Sequence, residues 1–341
     1  MQACVIGAGS WGTGVVMLLG AAGAARIQWY CRDAQQALTI NRDGRNPQHF
    51  SERALPGGVV ATAAIAEALH GCDVVYLAVP AAALRETVNA HSGVWELWQD
   101  TQQAGGLSPV VCNCSKGLLV DPTQRSNEWL ASALPRTELV HLSGPNLAAE
   151  IVAGKPAAAV AASLSSKAAQ IVQSQLSSEQ FRVYTGDDLV GVEVAGFYKN
   201  IIAIAAGIAD GLGLGSNARA VLITRGLAEM GRLVEHFGGN PGTLHGLAGM
   251  GDLIVTCSSP LSRNFQVGQR RAGGQSLEQI EGEMTETAEG VNTSRALGDL
   301  ATGSINWPEL PIAQQVYRIL HEEADPQEAI GMLMRRPLKA E

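Results

Sequence analysis

The sequence predicts an α/β chain in which a doubly wound parallel sheet is followed by an all-helical domain. Three observations carry that expectation. Short β-branched runs alternate with Ala- and Leu-rich amphipathic stretches to about residue 187, a glycine-rich turn joins the first run to the first such stretch, and from Leu189 onward Ala, Gly and Ile recur at helical spacing. Strands alternating with helical patterns favour a parallel sheet covered by helices. At roughly 100 to 200 residues per domain, the 341 residues suggest two domains. The change of texture places them at 1–188 and 189–341.

In chain order, the candidate strands are Ala3–Ile6, Ile27–Cys31, Val59–Ala61, Asp73–Val79, Val110–Asn113 and Leu139–Leu142. Helical stretches such as Gly12–Ala21 and Ala82–Asn89 lie between them. Two weaker runs, Ala157–Ala161 and Phe181–Tyr184, extend the same pattern. Residues 91–108, with Trp95 and Trp98, fit neither template and are expected to form an excursion before the next strand. Beyond Leu189, glycine clusters at 211–215, 238–239, 249–251 and 273–274 punctuate the helices.

Composition narrows the classes of function. With 46% hydrophobic and 16% charged residues, the chain has material for a packed core and too little charge for disorder. A net charge of −8 argues against a nucleic-acid-binding surface. No uninterrupted apolar run approaches the roughly 18 residues of a membrane span. The N-terminal residues lack the basic region of a signal peptide, so a cytoplasmic protein is expected. The six Cys have neither disulfide-framework nor metal-site spacing, and the seven His form no ligand grouping. Buried thiols and no metal are therefore expected.

Gly7-Ala8-Gly9-Ser10-Trp11-Gly12 is a G-x-G-x-x-G between a predicted strand and a predicted helix. Gly7, Gly9 and Gly12 there allow a tight turn, close approach to a pyrophosphate and close helix packing, which makes the N-terminal domain Rossmann-type. The second strand ends where a ribose-reading residue belongs, at Arg32-Asp33. Arg32 suits a 2′-phosphate and so NADP, while Asp33 keeps NAD open. Ligands of such sheets lie beyond the carboxyl ends of the strands. The residues found there include Pro80, Ser115-Lys116-Gly117 and Ser143-Gly144-Pro145-Asn146. Lys116 is the candidate for an anionic ligand, with an ordinary surface lysine as the alternative.

The predicted helix Val190–Ala209 is apolar almost all round, hence buried, yet holds Glu193, Lys199 and Asn200. Lys199 is either a snorkelling side chain or a desolvated acid/base, since burial disfavours the charged amine. Further on, Asp252, Thr256 and Ser262-Arg263-Asn264 supply a carboxylate, hydroxyls and a guanidinium fork suited to phosphate. By themselves the latter three also read as a helix start and its cap.

Together these motifs resemble the bacterial NAD(P)-dependent glycerol-3-phosphate dehydrogenase family. The resemblance rests on the glycine turn, on Ser115-Lys116-Gly117-Leu118 and on Ser143-Gly144-Pro145-Asn146. It is strongest over 192–207 (VEVAGFYKNIIAIAAG), 218–230, 246–257 (GLAGMGDLIVTC), 262–264 and Ala288-Glu289-Gly290. It implies reversible hydride transfer between NAD(P)H and C2 of dihydroxyacetone phosphate, with sn-glycerol 3-phosphate feeding phospholipid synthesis. By that resemblance Lys199 is the catalytic proton carrier. Gly7, Gly9, Ser10, Trp11, Gly12, Arg32, Phe50, Lys116, Ala148, Arg263 and Glu289 contact the cofactor, NADP or NAD. Lys116, Gly144, Asn146, Lys199, Asp252, Thr256, Ser262, Arg263 and Asn264 line the substrate site. Asn146 stands where the family often has Thr or Ser. The family and the apolar helical domain also suggest a homodimer.

Two other readings remain open on residues alone. A related dehydrogenase of an unphosphorylated hydroxy acid would leave Arg263 without its role. A cofactor-binding sensor would need the glycine turn but not Lys199, Asn200, Asp252 and Arg263 together.

Overall fold

The computed structural model describes residues 2–106, 108–284, 288–301 and 307–338. Eight strands form one sheet: β1 Ala3–Ile6, β2 Ile27–Tyr30, β3 Val59–Thr62, β4 Val74–Leu77, β5 Val110–Asn113, β6 Glu138–Ser143, β7 Ala157–Ala162 and β8 Phe181–Gly186. Their order is β3-β2-β1-β4-β5-β6-β7-β8. Every residue of β1, β4 and β5 is buried, which is why these strands read as unbroken apolar runs. The order reverses direction between β1 and β4, so the ligand crevice of a doubly wound sheet falls at their carboxyl ends.

Two expectations change. All neighbouring strands are parallel except β6 and β7, which run antiparallel. The helix between them, Ala148–Val152, has 5 residues. Its rise of about 7.5 Å is too short to recross a strand of about 20 Å. The chain therefore turns back.

The second change concerns residues 91–108, where the structure has a helix, Ser92–Ala104. Its buried positions are Trp95, Trp98, Gln99 and Gln102, a helical i, i+3, i+4, i+7 stripe. Half of that stripe is glutamine, so its apolar period is broken in the sequence. Burial is made acceptable by bonds from Trp98 Nε1 and Gln102 Nε2 to the Cys72 carbonyl, at 2.8 and 3.0 Å.

Contacts divide the chain into a sheet unit, running to Lys116 and resuming over Gln124–Glu193, and a helical unit of Gly117–Thr123 with the chain from Val194. The longest helix, Leu189–Gly211, contributes its first turn to the former and the rest to the latter. Among the described residues it is the helix long and apolar enough to cross a membrane, but its most apolar window is 89% buried, as in a core helix. Within the helical unit it meets the helix Arg263–Ala272 backbone to backbone. A Cβ at Gly207 would overlap the Phe265 carbonyl, and one at Gly268 the Ile204 carbonyl. All six Cys are buried and unpaired as disulfides.

Candidate active site

The glycine turn follows β1 and opens the helix Ser10–Ala21. Gly7 sits at φ +109°, and a Cβ there would lie 2.6 Å from the Ala78 carbonyl oxygen. A Cβ at Gly12 would overlap the Gly7 carbonyl. By contrast, a Cβ at Gly9 meets nothing within 4 Å. Gly9 is also the helix N-cap, and no side chain caps it. The N-cap thus leaves open space beside the first turn, which contains no acidic residue. These features fit a dinucleotide pyrophosphate.

The turn is braced by residues that sequence reasoning missed. Trp29, fully buried in β2, donates from Nε1 to the Gly7 carbonyl at 2.9 Å. Gln36 Nε2 and Asn46 Nδ2 both donate to the Ala8 carbonyl at 3.0 Å. Gln36 also reaches Asn46 Oδ1 (2.9 Å), and Asn46 reaches Thr13 Oγ1 (2.9 Å). Three residues on, His49 Nδ1 lies 3.1 Å from Ser10 Oγ. Phe50 is half-buried with φ +58°. The indole of Trp11 is partly buried against the core, and its Nε1 lacks a partner. Arg32 is exposed at the end of β2. Its neighbour Asp33 is engaged as a helix N-cap: Oδ1 accepts from Gln35 N at 2.8 Å and Oδ2 from Gln48 Nε2 at 3.4 Å.

At the carboxyl ends of β5 and β6, Lys116 Nζ donates to the Gly144 carbonyl at 3.1 Å, which brings two sequence candidates together. Gly144 has φ +149°, and a Cβ would sit 2.8 Å from the Ala158 carbonyl oxygen. Asn146, in the amide orientation that satisfies both partners, donates to the Ala158 and Pro145 carbonyls at 3.0 and 3.1 Å. Ala148 begins the short helix that follows. Beneath Lys116 runs a buried polar chain. Asn113 Oδ1 accepts from Ser115 N (3.0 Å), and its Nδ2 donates to Ser126 Oγ (2.8 Å) and Asn127 Oδ1 (3.0 Å). Glu193, 1% exposed, accepts from Ser126 Oγ, Asn127 N and Arg125 Nη1 at 2.7, 2.8 and 2.9 Å. Asn127 also contacts His141, whose imidazole burial pushes down to about 4. That histidine is neutral at physiological pH.

In the helical unit, Lys199 lies on the Leu189–Gly211 helix and is 7% exposed. Its Nζ donates to Asp252 Oδ1 at 2.6 Å and to Thr256 Oγ1 at 2.9 Å. Asp252 and Thr256 are 1% and 4% exposed and sit four residues apart, on one face of the helix Asp252–Ser258. A π-helical turn, Leu247–Gly251, leads into that helix, and Gly249 packs there so closely that a Cβ would overlap Leu244. The lysine neither snorkels nor stands alone. A buried ammonium is tolerable because a carboxylate and a hydroxyl satisfy it.

Next to it, Asn200 Oδ1 accepts from Asn264 Nδ2 (2.9 Å), whose Oδ1 accepts from Gly290 N (2.9 Å). Ser262 caps the helix Arg263–Ala272 through Phe265 N. The cap reading is correct for Ser262, and most of the Asn264 amide is occupied internally. Arg263, the first helical residue, is exposed, and Glu289 begins the helix Glu289–Ala301. One buried pair escaped the sequence reading: Tyr198 donates to Glu229 Oε2 at 2.7 Å, and Glu229 also accepts from Ile312 N at 2.8 Å and Ala313 N at 3.3 Å.

A glycine-turn cradle on a Rossmann-type sheet and a buried lysine–carboxylate–hydroxyl cluster on a helical unit have the make-up of a nicotinamide-dependent dehydrogenase. Residues 2–169 match the NAD-dependent glycerol-3-phosphate dehydrogenase N-terminus and residues 188–331 the C-terminus of the same enzyme family. Glycerol-3-phosphate dehydrogenase [NAD(P)+] of Anaeromyxobacter dehalogenans is 41% identical over 349 aligned residues, covering 100% of both chains. That of Lysinibacillus sphaericus is 41% identical, covering 100% of this chain and 98% of its own. The crystal structure of glycerol-3-phosphate dehydrogenase from Coxiella burnetii superposes with a TM-score of 0.89 at 34% identity, covering 98% of this chain and 99% of that one. The chain belongs to the NAD-dependent glycerol-3-phosphate dehydrogenase family.

Proposed function

We infer that the protein is an NAD(P)-dependent glycerol-3-phosphate dehydrogenase, interconverting dihydroxyacetone phosphate and sn-glycerol 3-phosphate. The observation that carries the mechanism is the Lys199–Asp252–Thr256 cluster. When bound, the nicotinamide supplies or accepts the hydride. Lys199 Nζ polarises the C2 carbonyl and delivers its proton to the oxygen, or takes it back in oxidation. Such acid catalysis contributes about 10² to 10⁴ in rate. Asp252 and Thr256 hold the ammonium in one place, so little reorganisation is required when charge develops on the oxygen.

Arg263, exposed at the start of its helix, binds the substrate phosphate with help from the helix N-terminus, and Asn200 and Asn264 hold that turn in register. Anchoring the phosphate orients the reacting carbon from a distance. In the sheet unit Gly7, Gly9, Ser10, Trp11 and Gly12 take the dinucleotide, and Lys116 with Gly144 and Asn146 forms the polar strand-end group. Phe50, Ala148, Arg263 and Glu289 are assigned cofactor contacts on the family pattern, and Ser262 a place beside the substrate. With Asp33 committed to its cap, Arg32 decides the ribose end and favours NADPH over NADH. The product suits phospholipid synthesis in the cytoplasm, and the enzyme acts as a homodimer.

The test is loss of nicotinamide absorbance on adding dihydroxyacetone phosphate, with NADPH and NADH run side by side. Turnover with both, faster at low NADPH, is expected. Protein that binds NADPH yet leaves the ketone phosphate untouched refutes the assignment.

A further inference from the structure

The buried chain beneath Lys116 has a direction that its chemistry fixes. A backbone N–H only donates, so the Asn113 amide turns Oδ1 toward Ser115 N, at 3.0 Å. Asn113 Nδ2 then faces Ser126 Oγ and Asn127 Oδ1, at 2.8 and 3.0 Å. With its oxygen so engaged, Asn127 presents Nδ2 to His141, 3.0 Å from Nδ1. That ring nitrogen must accept, and the neutral imidazole therefore carries its proton on Nε2. A second acceptor orients the same chain. Glu193 Oε1 takes the Ser126 hydroxyl proton at 2.7 Å, which leaves the hydroxyl oxygen to receive Asn113 Nδ2. Asn113, Ser126, Asn127 and His141 are all buried, and Asn113 and His141 are direct partners across β5 and β6.

A donor at His141 Nδ1 would undo this order. It would face the Asn127 amide nitrogen, turn that amide over and pass the reversal to Asn113, whose Nδ2 would then meet Ser115 N–H. Burial prevents that by pushing the imidazole down to about 4; the Glu193 carboxylate opposes the shift and the Lys116 ammonium assists it. The ring's Nε2 has no hydrogen-bond partner among the described residues. Histidine thus gives the core one hydrogen bond at the cost of one unpaired buried donor, a poor exchange for stability alone. What it supplies is direction.

At the other end of the chain stands the turn that carries Lys116. Ser115 is held twice, its N–H by Asn113 and its hydroxyl by the Val79 carbonyl beyond the end of β4, at 2.7 Å. The next residue, Lys116, reaches the Gly144 carbonyl beyond β6. We propose that His141 is a positioning residue for the reaction, whose neutral Nδ1 sets the amide orientations that hold Ser115 and so places the Lys116 ammonium among the strand ends. The inference rests on the place given above to Lys116 in the polar strand-end group.

The experiment is steady-state reduction of dihydroxyacetone phosphate by NADPH in the full chain, with thermal melts on each preparation. His141→Leu, apolar and of similar size, removes the acceptor. Its kcat/KM should fall about tenfold, since a misplacement of about 1 Å costs up to about 10²-fold. His141→Asn, whose Oδ1 stands near the Nδ1 position, should recover most of that loss although it fills the core less well. Activity then follows the acceptor and not the volume, which a merely structural role would not give. His141→Met takes the place of the leucine variant should that one be poorly folded by circular dichroism. Lys116→Ala completes a double-variant cycle: with His141 acting through Lys116, adding His141→Leu to Lys116→Ala should cost less than about twofold further. Losses that multiply in the cycle, an asparagine variant as slow as the leucine one, or a leucine variant with wild-type kcat/KM overturn the proposal while leaving Lys116 its role. A Lys116→Ala protein that keeps wild-type kcat/KM overturns both.

Discussion

Glu229 offers a test of how far burial outweighs hydrogen bonding in the helical unit. The carboxyl is 1% exposed and accepts from the Tyr198 hydroxyl and from Ile312 N and Ala313 N, the first turn of the helix Pro311–His321. Those donors and Arg232 favour the charged form, but burial is the larger effect and pushes the group up from 4.5 to about 7. The folded protein therefore holds this proton more tightly than the unfolded chain does. Stability from that source is complete below the unfolded value and is lost as the pH rises through about 7. At about 1.4 kcal/mol per unit, the shift corresponds to roughly 3 kcal/mol, of which about 2 to 3 falls between pH 5 and pH 8. Glu229→Gln removes the titration while keeping an acceptor for Ile312 N, at a cost of about 1 kcal/mol for a lost hydrogen bond. Urea unfolding followed by circular dichroism at several pH values measures the difference between the two proteins. Wild type minus variant should fall by about 2 to 3 kcal/mol from pH 5 to pH 8. A constant difference, or one that rises with pH, refutes the reasoning, since a rise would mean that the donors outweigh burial.

Gly268→Ala should lower the melting temperature although alanine normally favours a helix interior by about 1 kcal/mol. The added Cβ would strike the Ile204 carbonyl and come within 2.7 Å of Ile208 N, a close approach that costs about 1 to 3 kcal/mol if the helices move apart. Arg32→Ser should weaken NADPH binding by about 10- to 100-fold, the worth of a charged hydrogen bond to phosphate, and leave NADH binding nearly unchanged. Comparable losses for both cofactors in fluorescence titrations would remove Arg32 from the ribose end.

The features legible in the sequence are the local ones. The glycine turn is contiguous, and Gly7 and Gly12 are required by contacts within the strand–turn–helix unit and with the neighbouring β4 end, whereas Gly9 borders open space. Asp252 and Thr256 fall four residues apart, so their shared face follows from helical geometry. The pairing of Lys199 with both spans more than fifty residues, and only the fold reveals it. The same holds for Asn46, which braces Ala8 from 38 residues away. A buried asparagine in a loop has no periodicity to mark it. The helix Ser92–Ala104 escaped because Gln99 and Gln102 occupy half its buried stripe. Antiparallel β7 escaped because the length of the intervening helix decides the strand's direction, not the composition of the strand. Asp33 is a different case: adjacency to Arg32 keeps it open as a ribose reader, and its two hydrogen bonds add a helix-cap role that the sequence did not show.

Lys199, as the group that exchanges a proton with the substrate oxygen, is the residue on which the proposed chemistry depends most. The direct measurement is the rate of NADPH oxidation by dihydroxyacetone phosphate in Lys199→Ala, with NADPH affinity and circular dichroism recorded on the same preparation. The substitution leaves Asp252 without its buried partner, so reduced thermal stability is expected as well. kcat should fall by about 10² to 10⁴, with NADPH Kd unchanged. A folded variant that reduces the ketone phosphate at close to the wild-type rate would contradict it.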